Sequence, residues 1–240
     1  MTIIFIIIIT SIIQSLFGVG VLLFGTPLLL LFDYTFLEIL LILLPISAII
    51  NILQIIKDYK YINKKIYLKI INITIPFIVL FLFFLSRITI NINFFIACLL
   101  IFISLKNHIK LFNTIFNKII YFDKIYYIIL GIIHGVTNLG GVLLTTKIFQ
   151  TNLNRYEKRA TIAISYFTFA LFQIITIMLL DINIQYSFNH IIYILIGIGV
   201  YIISNKIFHS ISDNKYNKLF LFFLFITGVL LFAKEYIRNT

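Results

Sequence analysis

Apolar residues run in eight stretches, about 2–32, 35–56, 67–85, 91–105, 119–149, 160–180, 188–208 and 218–236, with short polar segments between them. A helix that crosses a bilayer needs about 20 consecutive apolar residues. The second, third, sixth, seventh and eighth stretches fit single spans, and the fourth is short unless it extends toward His108. The first and fifth are of another kind. Each is roughly 30 residues long, which as one straight helix would measure about 45 Å against a hydrocarbon core of about 30 Å. Both are interrupted by glycine near their middle. The pattern predicts an all-α polytopic membrane protein with two broken segments.

The two breaks align with each other. The first reads Gln14-Ser-Leu-Phe-Gly18-Val-Gly20, followed by Gly25-Thr26-Pro27; the second reads His134-Gly135-Val-Thr137-Asn138-Leu-Gly140-Gly141. At a constant offset of 120 residues Gln14 falls on His134, Gly18 on Asn138 and Gly20 on Gly140. Glycine and asparagine are the residues that most readily leave helical geometry. Three apolar spans follow each break. The chain therefore divides into two homologous halves, 1–112 and 119–240, joined by a basic stretch at 106–118 within a single membrane domain. Paired glycine- or proline-interrupted segments at matching places in two halves point to a transporter's binding site.

Composition strengthens this reading: 62% of the residues are hydrophobic, 11% are charged, and the mean hydropathy is +1.12. A soluble domain carries about 25% charged residues, so the bilayer must serve as solvent. The net charge of +11 sits in short loops, where it sets topology rather than marking a nucleic-acid partner. A lone cysteine, Cys98, leaves neither an internal disulfide nor a cysteine metal site. The apolar start lacks a basic leader and a small-residue cleavage site, so it reads as a retained segment.

Charge also chooses between two topologies. If both long segments cross the membrane as plain helices, the eight spans divide the basic residues eleven to eight. If both return to their starting side as re-entrant hairpins, one side holds sixteen and the other keeps only Arg87, Lys234 and Arg238. The basic-loop rule favours the second arrangement, with hairpins entering from opposite faces and the halves inverted. This layout treats 147–159 as a loop and Asp33, Glu38 and Asp181 as segment-end charges.

Non-helical backbone at membrane depth survives only inside protein or beside a water-filled cavity. A helix that restarts after a break aims free N–H groups and a partial positive charge inward, which suits an anion. The expected substrate-binding residues are Gln14, Gly18, Gly20, Thr26, Pro27, His134, Thr137, Asn138, Gly140 and Gly141. Gly20 and Gly140 are expected to let the ligand approach the main chain, so that valine there would block it while sparing insertion. Ser47, Asn51 and Gln54 share one helix face and, with Ser165, Tyr166 and Gln173, are expected to line the path. Simple close packing of the glycines, a packed His134 and interhelical hydrogen bonding by these polar residues are the competing explanations. Lys147 stands where the first copy has Pro27 and is expected to snorkel to the interface.

No nucleophile elbow, metal-protease motif or phosphate-binding loop is present, so neither an enzyme nor a nucleotide-driven pump is expected, and no metal or cofactor. At the two breaks the sequence resembles the TauE/SafE, or sulfite-exporter-like, family of permeases. That family has two homologous halves, each beginning with a glycine-rich run, then aliphatic residues and a proline. Here Val21 replaces a third glycine, Asn138 opens the second copy, and Lys147 replaces the second proline. The resemblance implies secondary transport of a small anion such as sulfite, a sulfonate or a related organic acid across the cytoplasmic membrane, driven by an ion gradient, with homo-oligomerisation left open. A channel or neutral-solute carrier, and an intramembrane enzyme or sensor, are the alternatives.

Overall fold

The computed structural model describes residues 2–87, 93–105, 121–180, 188–208 and 213–239. Among them stand ten α-helices, one short 3-10 turn and no strand. The helices are α1 (Thr2–Phe17), α2 (Val21–Leu30), α3 (Phe36–Asp58), α4 (Lys64–Leu85), α5 (Asn93–Leu105), α6 (Asp123–Thr137), α7 (Gly140–Phe149), α8 (Arg155–Leu179), α9 (Phe188–Phe208) and α10 (Asp213–Asn239). The basic linker at 106–118, His108 and Asp181 lie outside the described residues. Four helices, α3, α4, α8 and most of α9, are long and apolar enough to cross a membrane.

Helix starts follow local chemistry. Thr35 and Glu38 form a reciprocal capping box that opens α3. Glu38 is therefore part of the first turn rather than a loop charge. Asn154 and Glu157 build the same box at α8, and the Asn63 side chain accepts from the Ile66 N–H at the start of α4. Because its box closes at Asn154, α8 begins at Arg155. The expected loop at 147–159 is thus confined to residues 150–154, and Arg159 lies inside the helix.

Neither long apolar segment is a straight rod. Between α6 and α7 the chain turns back: Asp123 at the start of α6 pairs with Lys147 near the end of α7 at 2.6 Å. Deeper in, the Tyr126 hydroxyl donates to the Leu143 carbonyl at 2.6 Å. In the first segment the Val21 N–H donates to the Gln14 side chain at 2.9 Å, which folds the start of α2 back beside α1. α6 lies along α4, where Gly131 and Gly135 face the Thr74 and Ile78 carbonyls closely enough to exclude any larger residue. Leu195, Ile202, Ile203 and Phe84 point outward and are exposed, as a lipid-facing surface requires. Inside, the buried apolar residues form one continuous core around the two hairpins.

Polar clusters at the two chain breaks as the candidate functional site

The two breaks are built alike. α1 closes with Gly18 N–H donating to the Gln14 carbonyl at 2.8 Å; α6 closes with Asn138 N–H donating to the His134 carbonyl at 2.9 Å. Gly18 and Asn138 then both adopt left-handed backbone, with φ of 79° and 67°. Two residues further on, a glycine sits against the residue that accepted the closing bond. A Cβ on Gly20 would collide with the Gln14 backbone nitrogen and come within 2.7 Å of the Thr10 carbonyl. A Cβ on Gly140 would fall 2.5 Å from the His134 Cβ. The space above both glycines, which open the returning arms, is filled by the chain's own outgoing helix, α1 or α6. Valine at Gly20 is therefore incompatible with the hairpin, contrary to the expectation that insertion would be spared.

Around the first break Gln14 is saturated. Its amide nitrogen donates to the Ser47 carbonyl (2.8 Å) and to Asn51 Oδ1 (3.0 Å), while its oxygen accepts from the Val21 N–H and from the Ser47 hydroxyl (3.2 Å). Gln14 thereby supplies the partner that the first free N–H of α2 needs. Gln54 donates to the Gln14 and Ser15 carbonyls at 2.9 and 3.1 Å. The helix face carrying Ser47, Asn51 and Gln54 is thus turned onto the break, as its spacing predicts. Asn51 Nδ2 and Gln54 Oε1 have no protein partner. Pro27 lies within α2, and its carbonyl accepts from the Leu31 N–H.

The second break is less complete. Asn138 donates to the Thr26 hydroxyl at 3.3 Å and accepts from Gln173 at 3.1 Å, so its amide ties the two hairpins to each other and to α8. The Tyr166 hydroxyl donates to the Asn138 carbonyl at 3.2 Å. Thr137 is spent locally, donating to the Ile133 carbonyl and accepting from the Leu139 N–H. Ser165 donates to the Thr161 carbonyl within α8. Gly141 faces the Tyr166 ring. The His134 ring is wholly buried between Tyr166 and Phe169, at centroid distances of 5.3 and 5.0 Å. Neither of its nitrogens makes a well-formed hydrogen bond, nor does Gln173 Oε1, although the Gln173 side chain lies close enough to the imidazole to interact with it. No side chain caps α7. Buried polar atoms are almost always paired; the free ones here lie beside this uncapped helix start.

A further group escaped the sequence reading. Arg159, fully buried, forms an ion pair with Asp58 and also donates to Asn205 Oδ1 (3.0 Å) and the Ser15 carbonyl (3.3 Å). Its guanidinium carbon lies 3.7 Å from the Phe208 ring centroid. The signal was present: Asn154-x-x-Glu157 is a helix-start signature, and reading it would have placed Arg159 a full turn inside α8.

Residues 3–231 match the family model described as Sulfite exporter TauE/SafE. No curated protein and no solved structure matches the chain.

Proposed function

We propose that this chain, which belongs to the sulfite exporter TauE/SafE family, carries a small oxoanion such as sulfite or a sulfonate across the cytoplasmic membrane, using the meeting point of its two hairpins as the central site. That it is a multi-pass membrane protein of a transporter family follows from the match and from its apolar helices. The substrate, the site and the mechanism are our reading.

One observation carries it: Asn138 bridges the second break to Thr26 of the first hairpin and sits beside the His134 and Gln173 atoms that make no well-formed hydrogen bond. The second Asn138 amide proton, an imidazole N–H and the free N–H groups that open α7 are the donors left near this point, since the Tyr166 hydroxyl already donates to the Asn138 carbonyl and Thr26 accepts from the Asn138 amide. An anion there gains from the helix start as well as from the side chains. Gln14 accepts from the first N–H of α2, that of Val21, and all its other side-chain bonds go to α3, so its role is to hold the first hairpin shut rather than to bind substrate.

The hairpins are re-entrant and enter from opposite faces, and the halves 1–112 and 119–240 are inverted copies. Two facts support this. Asp123 and Lys147 place both ends of the second hairpin at one level, beside Lys69. The Lys234 ammonium holds the Leu30 and Leu31 carbonyls at the far end of α2, on the sparsely charged side. Transport then proceeds by exposing the central site to each side in turn.

The test is exchange of radiolabelled sulfite in proteoliposomes, with sulfate, thiosulfate, sulfonates and carboxylates as competitors. Saturable counterflow of chemically unchanged sulfite is expected. Ohmic anion conductance without counterflow would make the protein a channel, and recovery of a modified product would make it an enzyme.

A further inference from the structure

Arg159 is the only lysine or arginine that is fully buried among the described residues. It stands at the tip of the first hairpin: a Cβ on Gly18 would lie 3.0 Å from the Arg159 carbonyl, and the Arg159 side chain reaches back to the Ser15 carbonyl. Asp58 comes from α3, Asn205 and Phe208 from α9. The cluster therefore joins the hairpin tip to three other helices drawn from both halves.

Its geometry is a poor one for a purely structural bond. An arginine presents Nε–H and Nη–H along one edge, spaced to grip two oxygens of a carboxylate or an oxoanion. Here Nε and Nη2 both donate to the same oxygen, Asp58 Oδ2. The edge is occupied without its two-oxygen grip being used. Phe208 stacks on the guanidinium and Asn205 holds Nη1, so the fork's plane is fixed whether or not Asp58 remains. Buried ion pairs are also a costly way to join helices, since apolar contacts do it as well. The positions related to Asp58 and Arg159 by the 120-residue offset are Met178 and Ile39, both apolar.

We infer that Arg159 is an oxoanion-binding residue of the transport path and that Asp58 is its internal stand-in anion, displaced when sulfite or a sulfonate takes the guanidinium edge. The inference rests on the transport reading above and names a second anion station, separate from Asn138. Loading and unlocking are then one event: substrate that displaces Asp58 also frees α3 from α8 beside the hairpin tip. One anion replaces another at the guanidinium, and hydrogen sulfite or a sulfonate carries the same single charge as the carboxylate it displaces. No bond is made or broken.

The experiment measures sulfite affinity and exchange in the full-length protein. Asp58→Asn keeps the shape and removes the competing charge, and it should lower the KM for sulfite about tenfold while slowing exchange. Arg159→Lys keeps the charge but loses the fork, and should raise KM. The exchanged pair Asp58→Arg with Arg159→Asp preserves an ion pair but removes the held fork, so it should bind sulfite at least tenfold more weakly, through the Asn138 station alone, and should lose exchange. Sulfite affinity of wild-type strength in the exchanged pair, or an unchanged KM in Asp58→Asn, overturns the inference. If these variants fail to fold, the wild-type protein decides. Carbodiimide labelling of Asp58, normalised to the exposed Asp33, should rise with sulfite, and no rise overturns the assignment. Asp33→Asn serves as control and should leave exchange unchanged. Wild-type protein that exchanges no sulfite or sulfonate sinks the transport reading itself; exchange that survives the swap sinks only the assignment of Arg159.

Discussion

Asn138 offers a way to separate backbone strain from ligand binding at one residue. Its φ of 67° is left-handed, and its side chain makes the 3.3 Å bond to Thr26 and the 3.1 Å bond from Gln173. Asn138→Gly removes both bonds and keeps the backbone at ease. At about 0.5–1.5 kcal/mol net for each bond, the loss is about 1–3 kcal/mol. Asn138→Leu removes the same bonds and adds a branched side chain in the left-handed region, which costs about 1–2 kcal/mol more. Thermal unfolding in detergent should therefore rank wild type above Asn138→Gly, and that above Asn138→Leu. Transport should rank differently. Both variants lack the amide donor, so sulfite KM in proteoliposomes, corrected for inserted protein, should rise by a similar factor, about tenfold for each 1.4 kcal/mol of lost binding. Equal stability of the two variants would refute the strain argument. A wild-type KM in both would remove Asn138 from the site.

Three other outcomes follow from the same geometry. Gly20→Val should fail to give a folded protein in detergent, because its side chain meets the Gln14 backbone; a monodisperse, stable variant would show that the hairpin is not closed as described. With Cys98 replaced by Ala, single cysteines at Tyr61 and Asn152 should be protected from an impermeant thiol reagent in intact cells, while one at Ser86 is labelled; labelling of Asn152 from outside would restore plain spanning helices. Lys147→Met should lower stability by less than about 1 kcal/mol, because its partner Asp123 is partly exposed and such pairs contribute little; a loss several times larger, read from thermal unfolding, would mean the pair is the hairpin's main fastening.

Much of the architecture was legible because lipid leaves few options. Apolar run length located the long helices, and two runs too long for the bilayer located the hairpins. The offset of 120 residues paired Gly18 with Asn138, and these two proved to share a left-handed conformation. The face carrying Ser47, Asn51 and Gln54 was readable from its helical spacing. Less legible was what each glycine faces. A small residue records that something comes close, not whether it is a ligand or the chain itself, and at Gly20 it is Gln14. Arg159 was missed for a related reason. A charge near the end of an apolar run reads as a loop residue unless its partner is known, and Asp58 is 101 residues away.

The Lys234 ammonium, on α10, donates to the carbonyls of Leu30 and Leu31, 204 and 203 residues earlier. Those carbonyls end α2, where the Leu30 oxygen also accepts from the Asp33 N–H at 3.2 Å, while the Leu31 oxygen lies past the last intrahelical donor. During synthesis the first hairpin must therefore wait for nearly the whole chain before its return arm is finished. Until α10 arrives, the hairpin depends on water or the insertion machinery to hold the Leu31 oxygen and to complete the shell of the Leu30 oxygen. Maturation of the early half is in this way made conditional on delivery of the late half, so that a ribosome stopping short of α10 leaves a membrane protein whose opening segment is still unsealed.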